Sequence, residues 1–373
     1  MELKYKNKKT EKHILQNTPK ARLDKKRESI NKNMLIEGDN ASILRTLAED
    51  FNLSNKIDLV YIDPPFSTGK VFKIGSKRTS TISNSNKDIV AYRDDLKEDE
   101  YLEFIRERLI WIRKLLSEKG SIYFHIDYKI GHYIKVIMDE VFGENNFRND
   151  ITRIKCNPKN FKRKAYGNYK DLILFYTKTN NYIWNGSSVP KTEEEIKKHY
   201  SKIDDKGRRY TTTPLHAPGE TENGATGKEW RGVPPPKGRH WRYPPEKLEE
   251  LDKRGLIEWS KNNNPRKIIY AKDNGRKKRQ DVWEFKDSQR PSYPTQKNID
   301  LLKTIIRTSS NKNSTVLDAF CGSGTTLLAS DSLNRNWIGI DKSKQAIETT
   351  KDRLESELGL LSSNYSYIKE NKA

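Results

Sequence analysis

The chain has 373 residues, more than one average domain and enough for a large core. Hydrophobic residues make up 33% and aromatics 10%, which argues against wholesale disorder, and no apolar run approaches the roughly 18 residues of a membrane helix. The 72 Lys and Arg exceed the 51 Asp and Glu, a formal net charge of +21 that points to a polyanionic partner, nucleic acid being the commonest.

In chain order, residues 1–32 read as a polar, basic tail without the apolar core of a secretory signal. "NMLIEGDNASILRTL" (33–47) reads as a strand, a turn and a helix start, and "IDLVYI" (57–62) as a buried strand. Residues 67–97 are polar and read as a long loop. In 99–120, Leu102, Ile105, Leu109, Ile112 and Leu116 share one helical face. "SIYFHI" (121–126) is the next strand, 128–143 the next helix, and "DLILFYT" (171–177) a further strand. This alternation predicts a parallel α/β sheet covered on both faces.

From about 185 to 290 the rhythm stops, and it resumes with helix 298–310, strand "TVLDAF", a glycine turn, a helix and strand "WIGID". One α/β domain is therefore expected to be split by an insertion. Residues 151–290 carry 33 Lys and Arg against 18 Asp and Glu, a net +15, and five of the seven tryptophans. Basic residues interleaved with aromatics suit a surface that follows phosphates and touches bases. The run Arg276, Lys277, Lys278, Arg279 reads as a phosphate-contacting loop. Cys156 and Cys321 lie far apart, and the six histidines show no ligand spacing, so no metal is expected. His125 and Trp111 read as packing residues.

"TVLDAFCGSGTT" is a strand, a glycine turn and a helix start. Three cofactor classes use such a turn. A P-loop needs a lysine where Gly324 is followed by Thr325, and a dinucleotide fold expects a glycine where Leu327 stands. S-adenosylmethionine needs an acid at the strand end for its charged amino acid part and an acid on the next strand for its ribose. Asp318 and Asp341, 23 residues apart, fill those places, with Phe320, Gly322, Gly324 and Thr325 forming the turn. Cys321 reads as a small packing residue, since no Pro-Cys pair marks a cytosine-C5 nucleophile.

"IDLVYIDPPF" ends a buried strand with an acid, two rigid residues and a ring. An exocyclic amino group on a base is a poor nucleophile, because its lone pair is delocalised. The Asp63 carboxylate and the Pro64 carbonyl can each accept one amino hydrogen, which favours a pyramidal nitrogen. Pro64 and Pro65 fix the backbone, and Phe66 offers a face for a base that has left the helix.

With these motifs in this order, the chain resembles the beta-group bacterial amino-methyltransferases of DNA, over about 33–354. The fold the resemblance implies is a Rossmann-like α/β methyltransferase sheet using S-adenosyl-L-methionine, with an inserted target-recognition region. "LIEGDN" then puts Asp39 near the cofactor adenine, and "YPTQK" puts Thr295 and Lys297 near the methionine carboxylate. "PPPKGRHWRYPPEKL" resembles an insertion of adenine methylases related to type III modification subunits, making Arg239 and Arg242 DNA-contact candidates. Two departures stand out: Asn298 follows Thr-Gln-Lys where the family has proline, and Asp341 stands where Glu is commoner. The expected layout is a basic tail (1–32), a catalytic half (33–150), a recognition region (151–290), a cofactor half (291–360) and a C-terminal tail (361–373). The implied activity is site-specific methylation of adenine N6, in a bacterial cytoplasm at the nucleoid. The alternatives are cytosine N4, which Asp rather than Ser at position 63 disfavours, and a silent DNA-binding protein on the same fold. Double-stranded DNA is the expected partner, with a second copy and a restriction subunit as further candidates.

Overall fold

Successive side chains of a strand point to opposite faces, so a strand buried on both faces serves two cores. Strand β2 (Ile57–Ile62) does this: Val60 and Ile62 enter one core, Leu59 and Tyr61 the other. The computed structural model describes residues 2–23, 32–65, 71–75, 78–80, 89–93, 98–158, 164–288, 296–359 and 364–371.

Among these residues the central sheet also contains β1 (Asn33–Glu37), β3 (Leu116–Ile126), β4 (Phe147–Ile154), β5 (Lys170–Thr177), β6 (Val282–Glu284), β7 (Thr315–Asp318), β8 (Asn336–Asp341) and β9 (Tyr365–Lys369). Their spatial order is β6-β4-β5-β3-β2-β7-β8-β1-β9. The stretch from β3 through β9 is parallel, and β5 runs antiparallel to β3 and β4. Helices α1 (Glu11–Asn17), α2 (Asn40–Glu49), α3 (Glu98–Leu115) and α4 (Gly131–Phe142) cover one face. Helices α5 (Ile299–Ser309), α6 (Thr325–Asp331) and α7 (Lys344–Arg353) cover the other. The five residues placed on one face of 99–120 are all buried, though the helix stops at Leu115 and Leu116 begins β3.

Asn298, one of the two departures noted above, is the N-cap of α5. Its side chain accepts from the Asp300 and Leu301 amides, so it replaces a rigid helix start with a hydrogen-bonded one.

Residues Ser187–Arg279 form a second compact unit. An antiparallel sheet runs through Lys202–Ile203, Arg209–Pro214, Pro265–Tyr270 and Ile257–Trp259. Its core is Leu215, Trp230, Trp241, Leu248 and Leu251. The unit is shorter than the 151–290 span expected for the recognition region, because β4, β5 and β6 pair into the central sheet. It holds 23 Lys and Arg against 14 Asp and Glu, a net +9. The rest of the +15 belongs to the other unit. Trp230, Trp241 and Trp283 are buried in cores, so these tryptophans present no face to a base; Trp184 and Trp259 are exposed.

The expected terminal tails are partly structured. Thr10 caps α1, Ile14 is buried among the α2–α4 residues, and the Trp111 indole donates to Thr18 Oγ1 at 3.0 Å. At the other end β9 pairs with β1 as an edge strand. Within 67–97, expected as a loop, Val71–Gly75, Arg78–Ser80 and Ile89–Arg93 pair antiparallel; "VFKIG" and "IVAYR" are the apolar stretches there.

The docked N-terminus predicts a core-like response. Ile14→Ala should lower unfolding free energy by about 2–4 kcal/mol in urea denaturation, whereas a solvated tail would give a change within about 0.5 kcal/mol.

Candidate active site

Ligands of open parallel sheets bind beyond the carboxyl ends of the strands. β2 and β7 are adjacent and parallel, with Leu59 opposite Val316 and Val60 opposite Leu317. Asp63-Pro64-Pro65 and the glycine turn 319–324 therefore leave the sheet at the same edge. Phe66 and Thr295 lie outside the described residues.

Asp318 ends β7 and is buried; one of its oxygens accepts the Phe320 amide at 3.0 Å. Burial raises its carboxyl to about 7, against the Thr326 hydroxyl and the Phe320 amide, with the charges of Asp63 and Asp341 adding to the rise. Asp341 ends β8 and ties the turn: its carboxylate accepts from the Gly322 and Ser343 amides, both at 2.8 Å. With the Lys342 amide also contributing, the carboxylate still keeps acceptor capacity for a hydroxyl. Burial pushes this carboxyl up as well.

Gly322 and Gly324 have φ of +52° and +74°, where a side chain is strained. A Cβ on Gly324 would stand 2.6 Å from Thr350 Cγ2, whereas one on Gly322 would meet nothing nearer than the Phe320 carbonyl at 4.0 Å. Gly324 thus serves packing, and Gly322 leaves an open face. Cys321 packs with Leu327, Leu328 and Trp337, and burial drives its thiol upward, so it is no nucleophile.

Several supporting residues were not anticipated. Arg353 Nη1 donates to Ser323 O and to Thr325 Oγ1, at 2.7 and 3.0 Å, bracing the turn from α7. Asn40 donates to Ala319 O at 2.8 Å and accepts from Arg108 Nε at 2.6 Å. Arg108 is buried; desolvation lowers its guanidinium to about 10, and it lies over the Phe104 ring, which packs against Phe320. Asp39 caps α2 and reaches Arg108 Nη2 at 3.3 Å. Neither Arg108 nor Arg353 carries a local signal, because each acts across more than 25 residues of chain.

Asp63 is half-buried at the mouth. Its Oδ2 pairs with Lys297, the residue expected near the donor's carboxylate. Its Oδ1 is buried and meets no hydrogen-bond donor among the described residues. Behind it stands His125, fully buried, 4.0 Å from that oxygen. The basic candidates lie in the other unit. Arg239 and Arg242 are exposed, and their charges, with that of Arg266, add to burial in lowering His216. Arg276 donates to Ser188 and Lys277 pairs with Glu195, while Arg279 donates to Ser187 Oγ at 3.2 Å. Lys278 is exposed.

The turn suits S-adenosylmethionine. Asp318 is an acid held buried until a cation arrives, Gly322 is an open glycine, and Asp341 is an acceptor on the next strand. The raised Asp318 also fixes a pH dependence. The folded protein retains this proton above the ordinary carboxylate range near 4, so the stability it contributes is full below about 4 and is lost as pH rises through about 7. The ligand-free protein should accordingly weaken from pH 5 to pH 8 in urea melts, and Asp318→Asn should flatten that slope.

The sequence was compared with known proteins. A family model described as DNA methylase matches residues 57–352. The type II methyltransferase M.EcaI of Enterobacter cloacae is 43% identical over 327 residues, covering 86% of this chain and 69% of that protein. The StyLTI Mod subunit of a type III restriction-modification enzyme from Salmonella typhimurium is 28% identical over 341 residues, 81% of this chain and 50% of that protein. The chain thus spans about half the length of that type III subunit. Among solved structures, the M1.HpyAVI–SAM complex aligns with a TM-score of 0.46 and 19% identity, covering 86% of this chain and 98% of that one. A cytosine-N4-specific PvuII DNA methyltransferase aligns at 0.46 and 13%, covering 91% and 95%. On the family match and the 43% identity, the chain belongs to the DNA methylase family of amino-methyltransferases, whose methyl donor is S-adenosyl-L-methionine.

Proposed function

We propose that this DNA methyltransferase methylates adenine N6 on a base turned out of duplex DNA. The observation that carries the reading is the placement of Asp63-Pro64-Pro65 and the Asp318 turn at the ends of neighbouring parallel strands. When bound, the donor supplies an electrophilic methyl group on a sulfonium. Asp318 would hold its ammonium, Asp341 its ribose, and the Gly322 turn the backbone around it, with Asp39 toward its adenine and Thr295 near its carboxylate. Asp63 and the Pro64 carbonyl orient the amino group of the target base, and Phe66 stacks on that base. These interactions matter most once the nitrogen becomes tetrahedral, so they lower the barrier more than they tighten binding. Asp rather than Ser at 63 favours adenine over cytosine.

The region expected at 151–290, with its compact part at Ser187–Arg279, is the target-recognition region in this reading. Within it we assign phosphate contact to Arg239, Arg242, Arg276, Lys277, Lys278 and Arg279; Arg239 meets His216 and Arg242 donates to the Pro214 carbonyl, as Arg276 and Lys277 are engaged by Ser188 and Glu195. The StyLTI relative is named as the Mod subunit of a restriction-modification enzyme, and we infer the same setting here.

Two measurements check this reading. Asp63→Ala should cut transfer of labelled methyl into duplex DNA by about 10²–10³-fold or more, with donor binding by calorimetry near normal. Nucleoside mass spectrometry should find N6-methyladenine; N4-methylcytosine would overturn the adenine assignment. Separately, Arg239→Ala and Arg242→Ala should each reduce the slope of log affinity against log salt by about one if each neutralises one phosphate. An unchanged slope would remove them from the interface.

A further inference from the structure

Beneath Asp63 lies a buried polar chain that orienting an amino group does not require. His125, on β3, is fully buried. Its Nε2 lies 3.3 Å from Asp171 Oδ2 and its Nδ1 2.7 Å from the Tyr61 hydroxyl. Asp171, on β5, is gripped by Lys155 at 2.6 Å and Arg153 at 3.4 Å. Arg153 is itself fully buried and reaches Asp287 and the Phe285 carbonyl. A carboxylate between two cations is ionised, so Asp171 accepts and His125 donates from Nε2. Nδ1 is then the basic nitrogen, and it accepts from Tyr61. It also faces, across 4.0 Å, the buried Asp63 Oδ1, which meets no donor among the described residues. Closing that gap by about 1 Å would make an N–H···O bond if Nδ1 carried a proton. The resting arrangement is thus one proton short of complete.

The reaction read above releases one proton. We infer that His125 takes that proton through Asp63 and holds it between Asp63 and Asp171; this rests on the amino-methylation reading. The amino nitrogen uses its lone pair to form the new C–N bond while the methyl–sulfur bond breaks, its electron pair staying on sulfur as the neutral thioether leaves, and the nitrogen is left with one proton too many. That N–H breaks, its electron pair returns to nitrogen, and an O–H forms on Asp63. The O–H then breaks as an N–H forms on His125 Nδ1. Tyr61 turns its hydroxyl hydrogen away and becomes an acceptor, which a phenol can do. The imidazolium lies between two carboxylates until product leaves and water removes the proton. His125 touches no substrate atom, so it is a positioning residue acting through Asp63.

The charged and titratable groups around the ring are Tyr61 on β2 and Asp63 just past its end, Asp171 from β5, Arg153 on β4 and Lys155 just past its end, and Lys297 ahead of α5; Asp318 on β7 neighbours Asp63. Burial lowers His125 against the pull of Asp63 and Asp171, so the ring is neutral and receptive at neutral pH.

The test is single-turnover methyl transfer from labelled donor into saturating duplex DNA, from pH 5 to 9, with donor binding measured beside it. Wild type should show an acid limb where His125 is already protonated. His125→Gln should keep donor binding, slow the step by roughly 10²-fold and lose the limb. Asp171→Asn removes the anion that stabilises the imidazolium, so its limb should move to lower pH. A wild-type rate in His125→Gln that still binds donor, or an unmoved limb in Asp171→Asn, overturns the inference. Should His125→Gln fail to bind donor, Asp171→Asn decides by itself. An active Asp63→Ala would sink the amino-methylation reading; an inactive Asp63→Ala beside a normal His125→Gln would sink this inference and leave that reading standing.

Discussion

Everything at the mouth of the site depends on the parallel pairing of β2 with β7. Residues some 250 positions apart meet there, and Leu59, Val60, Val316 and Leu317 are all fully buried in the pairing. Each such side chain contributes about 1.5–3 kcal/mol by leaving water. A partly exposed ion pair contributes about 0–1 kcal/mol. The separation of Asp63 from Asp318 is therefore fixed by apolar packing under the site, and the Lys297–Asp63 pair adjusts one carboxylate on a frame already set. Adjacency also explains why an insertion is tolerated: the chain leaves the sheet after β5 and returns at β6, and neither end disturbs the central strands.

The glycine turn illustrates the same division in polar terms. Two positive-φ glycines give it its path, but they also make it floppy in the unfolded chain. Rigidity comes from Arg353 on one side and from the Asn40–Arg108 brace on the other. Burying Arg108 lowers its pKa to about 10, and it remains a cation at neutral pH because Asn40, Asp39 and the Phe104 carbonyl receive its donors. Groups fixed before the ligand arrives need no reorganisation during the reaction.

This division decides what could be read from the sequence. Local patterns were legible: the alternating strands and helices, the Asp-Pro-Pro corner and the glycine turn all sit within a dozen residues. Arg108, Arg353 and Asp171 were not, because an arginine or aspartate in a helix or strand has no local mark of the partner it meets in the fold. β9 was missed because five residues near a terminus look like a tail until β1 offers them an edge. Composition misled over the tryptophans. Basic and aromatic residues intermingle in 185–290, yet Trp230 and Trp241 build a small core while the charges face outward. His125 read as a packing residue because its spacing carries no motif; its partners lie on β2 and β5, and pairing alone brings them together.

Two carboxylates at adjacent strand ends pose an electrostatic problem, since like charges in a dry site oppose each other. The fold treats them differently. Asp63 sits at the mouth with a lysine on one oxygen. Asp318 lies buried with no cation beside it among the described residues, and burial holds its proton up to about pH 7. Their environments separate their roles, as paired acids in other active sites are separated by burial and charge. A cationic ligand at Asp318 would release that proton and turn the buried acid into an anion compensated by the ligand itself. The order of events follows from this. The buried acid holds its proton up to about pH 7 until a cation reaches it, whereas Asp63 meets the amino group as an acceptor beside Lys297.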